Sequence, residues 1–153
     1  MPLPVREAGT DDAAGVAELL HDFNVEFATP TPGAAVLAKR LEQLLQGDGM
    51  FAVIAGEPPV GLALVSLRQN VWFEGPVALL DELYVVPGQR NRGIGTTLLR
   101  AAEDESRRRG STELEINVDG DDVDARRFYE RHGYTNREPG QTEPRLYYHR
   151  ELE

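Results

Sequence analysis

The sequence has 153 residues, no cysteine and a formal net charge of −10 at pH 7, with 41% hydrophobic and 27% charged residues. This composition is that of an ordinary globular domain, and the absence of cysteine excludes disulfides, a thiol nucleophile and thiolate metal sites. No apolar run reaches the roughly 18 residues of a membrane span, and no signal-peptide core is present. The acidic charge argues against general nucleic-acid binding. We therefore expect one cytoplasmic domain over residues 1–153.

The first third of the chain predicts a short strand and two amphipathic helices. The strand covers residues 5–8, and Asp11 and Asp12 follow it as acids suited to the first turn of a helix. The apolar face of that helix carries Val16, Leu19, Leu20 and Phe23. A proline-rich loop over residues 28–33 separates it from a second helix that ends near Gly47. The apolar face of the second helix carries Leu37, Leu41, Leu44 and Leu45.

Three strands are predicted next. Two apolar runs within residues 50–67 flank a turn at residues 56–59 and form a hairpin. A third strand covers residues 77–86. The apolar residues that alternation assigns to one of its faces are Val77, Leu79, Leu83 and Val85. Asp81 and Glu82 interrupt this strand, and because adjacent residues point to opposite faces, at least one carboxylate should face buried surroundings.

The second half of the chain alternates helices and strands. A helix is predicted over residues 94–109, a strand over residues 112–118 and another helix over residues 123–132. Each of these helices is followed by a glycine, as helix ends often are. Tyr134 and residues 145–152 are interpreted as two last strands. The order of elements predicts an α/β protein in which helices pack against a mixed sheet.

The turn that opens the third helix has the chemistry of an anion site. Gly93 and Gly95 can adopt backbone angles that other residues avoid, and their amides are expected at a helix N-terminus, where several N–H groups have no partner. Such a terminus binds phosphate, and Arg90 and Arg92 add positive charge. The dinucleotide motif Gly-x-Gly-x-x-Gly is absent because Leu98 holds its third glycine position, and the Gly-Lys-Ser/Thr ending of a P-loop is missing as well.

The surrounding sequence resembles a known family. Residues 83–99 are similar to the acetyl-CoA signature of the GNAT superfamily, the general-control-related N-acetyltransferases. The core pattern Gln/Arg-x-x-Gly-x-Gly/Ala is met by Arg90, Gly93 and Gly95. Residues 128–134 resemble the later segment of the family, in which a tyrosine precedes a Gly-aromatic pair. Because the order of elements also matches, the resemblance covers nearly the whole chain.

The resemblance implies a GNAT-like α/β fold, with a mixed, mostly antiparallel sheet of six to seven strands and about four helices. It also implies which residues bind acetyl-CoA. The strand residues that would pair with the pantetheine arm are Leu83, Tyr84 and Val85. The residues that would surround the diphosphate are Arg90, Asn91, Arg92, Gly93, Ile94, Gly95 and Thr96. Many family members have a cofactor-contacting asparagine where this chain has Asp122, and we expect Asp122 to cap a helix instead.

The expected chemistry is proton transfer around an amine. An alkylamine with a pKa near 10.4 is nucleophilic in only about one molecule in a thousand at neutral pH, so a general base must remove its proton. Asp81 and Glu82 resemble the paired acids of the diamine and polyamine branch of the superfamily, and either is a candidate base. A main-chain amide of the same strand would stabilise the oxyanion. The resemblance implies that Tyr129 protonates the departing thiolate.

The implied activity is acetyl-CoA-dependent acetylation of a primary amine of a small molecule. The three histidines lack metal-ligand spacing, so no metal site is expected. An aminoglycoside or a protein amine stays open as acceptor, and a non-catalytic acyl-CoA sensor or interaction module is the alternative from another class. A homodimer is open as well, since GNAT relatives are often dimers. Candidates either for an amine pocket or for core packing are Phe23, Glu26, Phe27, Trp72 and Phe73.

Overall fold

A computed structural model describes residues 3–153 of the chain. The chain divides into two compact units, Met1–Ile116 and Asn117–Glu153. The predicted single domain over residues 1–153 is not tested by this division and stays a prediction. Among the described residues, no helix is both long and apolar enough to cross a membrane.

The first unit is built on one five-stranded sheet. Its strands are β1 (Val5–Glu7), β2 (Met50–Ala55), β3 (Gly61–Arg68), β4 (Val77–Val85) and β5 (Leu114–Ile116). The strands lie side by side in chain order. The first three pairings are antiparallel and the pairing of β4 with β5 is parallel, because α3 (Ile94–Arg108) connects these two strands as a crossover. The predicted mixed, mostly antiparallel sheet is confirmed.

The predicted count of six to seven strands is wrong, since the described chain has five. Tyr134 and residues 145–152 do not form the two last strands. The amide of Arg145 donates to the carbonyl of Asn136 (2.6 Å), but no ladder of such bonds continues from it in residues 134–153. Tyr148 and Leu152 are 84% and 90% exposed. A strand requires a hydrogen-bonded neighbour along its length, and apolar residues alone do not supply one.

Helices α1 (Ala13–Glu26) and α2 (Ala34–Gln46) cover one face of the sheet. The side chains that form this buried cluster come from both helices and from every second position of β2 and β3, and they include Val16, Leu19, Leu41, Ile54, Leu62 and Leu64. Helix α3 packs on the opposite face, where Leu98 lies 3.0 Å from the position a Cβ would take at Gly61. The predicted amphipathic helices therefore enclose the sheet from both sides in the first unit.

One irregularity of β4 changes which of its side chains share a face. Glu82 lies opposite Leu64 of β3, but Leu80 lies opposite the next residue, Val65, so Asp81 is an extra residue in a β-bulge. Past the bulge, Leu83 and Val85 point to the face opposite that of Val77 and Leu79. The prediction that these four residues share one face is therefore wrong, because it assumed an uninterrupted alternation.

The second unit contains helix α4 (Val123–Arg131). The Asp122 carboxylate accepts a hydrogen bond from the amide of Ala125 (3.1 Å), so the predicted helix cap is confirmed. Gly133 follows the helix with φ of 93°, the left-handed conformation that glycine adopts without strain.

Candidate active site

The second half of β4 has an open edge. On one side β4 pairs with β3 from Val77 to Val85, whereas on the other side it pairs with β5 only at Ala78, Leu79 and Leu80. Beyond Leu80, no strand of the described chain pairs with β4 on that side. The predicted pantetheine-binding residues 83–85 lie on this edge, and an extended ligand can bind there by main-chain hydrogen bonds.

The two candidate bases lie at the point where the open edge begins. The Ser66 hydroxyl donates a hydrogen bond to the Asp81 carboxylate. Asp81 is exposed, yet the surrounding protein displaces enough water to raise its pKa, and the bond from Ser66 opposes this effect. In this chain the bulge thus places an anchored carboxylate beside an open strand edge.

Glu82 differs from Asp81 in its surroundings. It is half-buried and points to the face of the sheet that α1 and α2 cover. Burial raises the pKa of Glu82, and the negative charge of Asp81 raises it further. Within residues 3–153, no hydrogen bond to the Glu82 carboxylate opposes this rise. A carboxylate with a raised pKa is better matched to take a proton near neutral pH, so Glu82 has the properties expected of a general base.

The turn after β4 presents main-chain amides. Asn91 and Gly93 both have left-handed backbone angles, with φ of 62° and 81°. The first bond of α3 runs from the amide of Thr97 to the carbonyl of Gly93 (3.1 Å). In the described chain no backbone acceptor is found for the amides of Gly93, Ile94 and Gly95.

The turn also leaves room for an anion. Apart from Gly93 and its two chain neighbours, no atom of the described chain lies within 4 Å of the position that a Cβ would take at Gly93, and Asn91, Arg92 and Gly93 are exposed. Thr96 lies half-buried in the first turn of α3. Left-handed geometry, available amides and open space together fit a diphosphate.

Arg90 makes contacts that sequence reasoning missed. Its Nη2 donates to Oε1 of Glu26 (2.8 Å), and its Nε donates to the carbonyl of Val85 (2.8 Å). Tyr84 donates its hydroxyl to the same oxygen of Glu26 (2.9 Å). Glu26 and Arg90 are 64 residues apart in the chain, and no local pattern in the sequence links them.

The aromatic candidates for an amine pocket separate into two groups. Phe23 stacks on Tyr84 with a centroid distance of 4.7 Å, and Phe27 meets Phe23 edge-on at 5.3 Å. Trp72 lies in the β3–β4 loop and is 83% exposed, so it does not pack in the core. This loop is ordered by Asn70, whose Oδ1 accepts the amides of Trp72 and Phe73 (2.9 Å each).

Tyr129, the expected general acid, lies on α4 in the second unit. It is half-buried, and its ring packs edge-on against Phe128 (5.3 Å) and Tyr134 (5.9 Å). The first unit brings together Asp81, Glu82, the open edge and the turn. The catalytic role of Tyr129 stays a prediction.

Comparisons with known proteins agree with this geometry. The model of the acetyltransferase (GNAT) family matches residues 15–134. The uncharacterized N-acetyltransferase YhfO of Bacillus subtilis (strain 168) is 30% identical over 139 residues, which are 85% of this chain and 88% of that protein. The crystal structure of a proposed acetyltransferase from Arthrobacter sp. FB24 is 58% identical, with a TM-score of 0.92 over 97% of this chain and 96% of that chain. Aminoglycoside N(6')-acetyltransferase type 1 from Klebsiella aerogenes is 39% identical over 67 residues, 42% of this chain and 44% of that protein.

The electrostatics of the bulge give a direct prediction. Replacement of Asp81 by Asn removes a negative charge beside Glu82 while keeping an acceptor for Ser66, so the pKa of Glu82 should fall. A carboxyl NMR titration of Glu82 measures this change. Asp104→Asn, a replacement of an exposed acid on α3, should leave the titration unchanged. An unchanged pKa of Glu82 in Asp81→Asn would show that the two carboxylates do not interact.

Proposed function

Since the chain belongs to the GNAT acetyltransferase family, we propose that it transfers the acetyl group of acetyl-CoA to a primary amine of a small molecule by direct attack on the thioester. The observation that carries this proposal is the position of Glu82. A half-buried carboxylate with a raised pKa lies where β4 leaves β5, at the start of the open strand edge. That edge and the turn after it together provide for a long ligand with an extended arm and an anionic end.

The proposed binding of acetyl-CoA uses main chain more than side chains. The edge of β4 at Leu83, Tyr84 and Val85 would pair with the pantetheine arm. The amides at the start of α3 would hold the diphosphate, helped by the positive end of the helix dipole. Arg92, which is exposed in the turn, would add charge to this site.

Glu82, Asp81 and Tyr129 have different roles in the proposed proton transfers. Acetyl-CoA supplies an activated thioester. Glu82 would take the proton that the amine must lose, since its raised pKa brings it closer to that of the amine than an ordinary carboxylate. Asp81, held by Ser66, would keep the pKa of Glu82 high and add negative charge that attracts a cationic amine. Tyr129 would donate its phenolic proton to the departing thiolate.

An aminoglycoside is the second candidate acceptor. The local similarity to an aminoglycoside acetyltransferase supports it. Exposed Trp72 and Phe27 offer aromatic surface that suits either a sugar ring or a cationic amine. Both acceptors require the same chemistry at Glu82, so the proposal for the base does not depend on the choice.

Incubation of the protein with acetyl-CoA and a panel of amines tests the proposal. We expect release of free thiol that depends on a small primary amine, measured with a thiol reagent. The panel includes diamines, polyamines, aminoglycosides and a lysine peptide. Binding of CoA without turnover on any amine would instead favour the non-catalytic acyl-CoA sensor.

Replacement of Glu82 by Gln tests whether Glu82 is a general base or a structural residue. We expect turnover to fall by about 10²- to 10⁴-fold, the range for loss of a general base. Because burial and Asp81 raise the pKa of Glu82 in the folded state, ionised Glu82 costs stability at pH values above that pKa, and Gln removes this cost. The melting temperature at pH 7 should therefore rise. Slower turnover with a lower melting temperature would indicate that Glu82 is structural.

Replacement of Tyr129 by Phe tests the general acid. We expect slower turnover with nearly unchanged affinity for CoA, because only the hydroxyl is lost. Calorimetry measures the affinity and thiol release measures the rate. Tyr148→Phe, at an exposed tyrosine of the same unit, is the matched control and should change neither. A parallel loss of folding and binding in Tyr129→Phe would show a packing role only.

A further inference from the structure

The carboxylate of Glu26 joins three elements of the first unit. Glu26 is the last residue of α1, and its Oε1 accepts hydrogen bonds from the Tyr84 hydroxyl on β4 (2.9 Å) and from Nη2 of Arg90 (2.8 Å). The side chains of Glu26 and Arg90 are 26% and 35% exposed, so the pair is partly shielded from water. The end of α1 is thus bonded both to the open-edge strand and to the turn that follows it.

Two more contacts fix the position of the Arg90 side chain. Its Nε donates to the carbonyl of Val85, which ties the Arg90 side chain to the end of β4. Its guanidinium also lies over the Tyr84 ring, 5.5 Å from the centroid, and Phe23 stacks on that ring. The hydrogen bond from Arg90 lowers the pKa of Glu26, and the weaker effect of the hydrogen bond from Tyr84 has the same direction. Burial and Glu26 raise the pKa of Tyr84 to about 12, so the phenol keeps the proton that it donates.

We infer that Glu26 is a positioning residue that holds Arg90 as a support of the turn and leaves the diphosphate of CoA to the main-chain amides and Arg92. This inference rests on the proposed function, because it concerns the same cofactor. Arg90 is tied to the end of β4 and to the end of α1 immediately before the left-handed residue Asn91, and its charge is balanced by Glu26. Glu26 is therefore a determinant of cofactor affinity although it belongs to α1.

A simpler role for Arg90 would be that of a direct ligand of the diphosphate. The two roles predict opposite changes in CoA affinity when Glu26 is replaced by Gln. If Arg90 were a ligand of the diphosphate, Glu26 would compete for it, and Glu26→Gln would strengthen CoA binding by freeing a cation and removing an anion. If Arg90 supports the turn, Glu26→Gln loosens the support and weakens binding. Gln is isosteric and still accepts the bond from Tyr84, so the change is confined to the charge.

Calorimetry with CoA decides between these roles. We expect Glu26→Gln to raise the dissociation constant by about three- to tenfold, because the partly exposed hydrogen bond from Arg90 loses its charged acceptor. The double variant Glu26→Gln/Arg90→Gln should bind no more weakly than Arg90→Gln alone, since both changes remove one interaction. Glu18→Gln, at an exposed position of α1, is the control and should bind as the wild type does.

A second comparison separates positioning from general damage to the fold. S-acetylpantetheine has the thioester and the pantetheine arm but no diphosphate. In Glu26→Gln, kcat/KM should fall for acetyl-CoA and stay unchanged for S-acetylpantetheine, whereas a loosened fold would lower both. Arg90→Lys, which keeps the charge but loses the planar two-sided geometry, should weaken CoA binding as well. Glu26→Asp, whose shorter side chain draws the carboxylate away from Arg90, replaces Glu26→Gln in the test if that variant does not fold, because the two roles again predict opposite changes in CoA affinity.

The outcomes distinguish this inference from the proposed function. Wild-type protein that gives no heat with CoA would overturn both. Wild-type protein that binds CoA, with Glu26→Gln binding equally or more tightly, would overturn the positioning role alone. An equal loss with S-acetylpantetheine would do the same.

Discussion

The bulge at Asp81 is the local constraint on which the arrangement of the first unit depends. A single extra residue in β4 reverses the faces of every side chain that follows it, so Tyr84 turns toward α1 and Glu82 toward the same buried face. The pairing of β4 with β5 ends at Leu80, immediately before the bulge. The register that positions the carboxylates is therefore also the register at which the strand edge opens.

This arrangement has an energetic cost that a purely structural strand would avoid. Two adjacent carboxylates raise each other's free energy when both are ionised, and burial of Glu82 adds to that cost. Ser66 offsets part of it at Asp81, but within the described chain no side chain donates to Glu82. An electrostatic cost of this kind is typical of functional sites, where burial and neighbouring charges shift the pKa values of titratable groups.

The sequence predicted the helices well because their signals are local. The periodic leucines of α1 and α2 and the glycines around α3 can be recognised within one or two turns, and the strand ends at Ala55 and Val85 are followed by turn residues and by a proline. The resemblance of residues 83–99 located the turn. The same local reasoning predicted two strands in residues 134–152, where apolar residues suggest pairing but no partner strand is found in the described chain.

What sequence reasoning missed depends on pairing across the sheet. Alternation cannot reveal a bulge, because the extra residue is defined only by its partner strand, and the grouping of Leu83 with Val77 failed for that reason. The bond between Glu26 and Arg90 joins residues on elements that are distant in the chain. Both features require the three-dimensional register, and both bear on the site more than on the fold.

A supported turn with a neutralised arginine also has a kinetic rationale. An arginine that pairs with the diphosphate equally in every state of the reaction lowers KM without speeding the chemical step, and it slows the departure of free CoA. Main-chain amides held in a fixed geometry bind the anion with less charge, and because they are ordered before the ligand arrives, less entropy is lost on binding. On the proposed arrangement, Glu26 keeps the charge of Arg90 away from the diphosphate while retaining its contribution to the order of the turn. Affinity for the cofactor and the rate of its release are then set by α1 as well as by the signature turn.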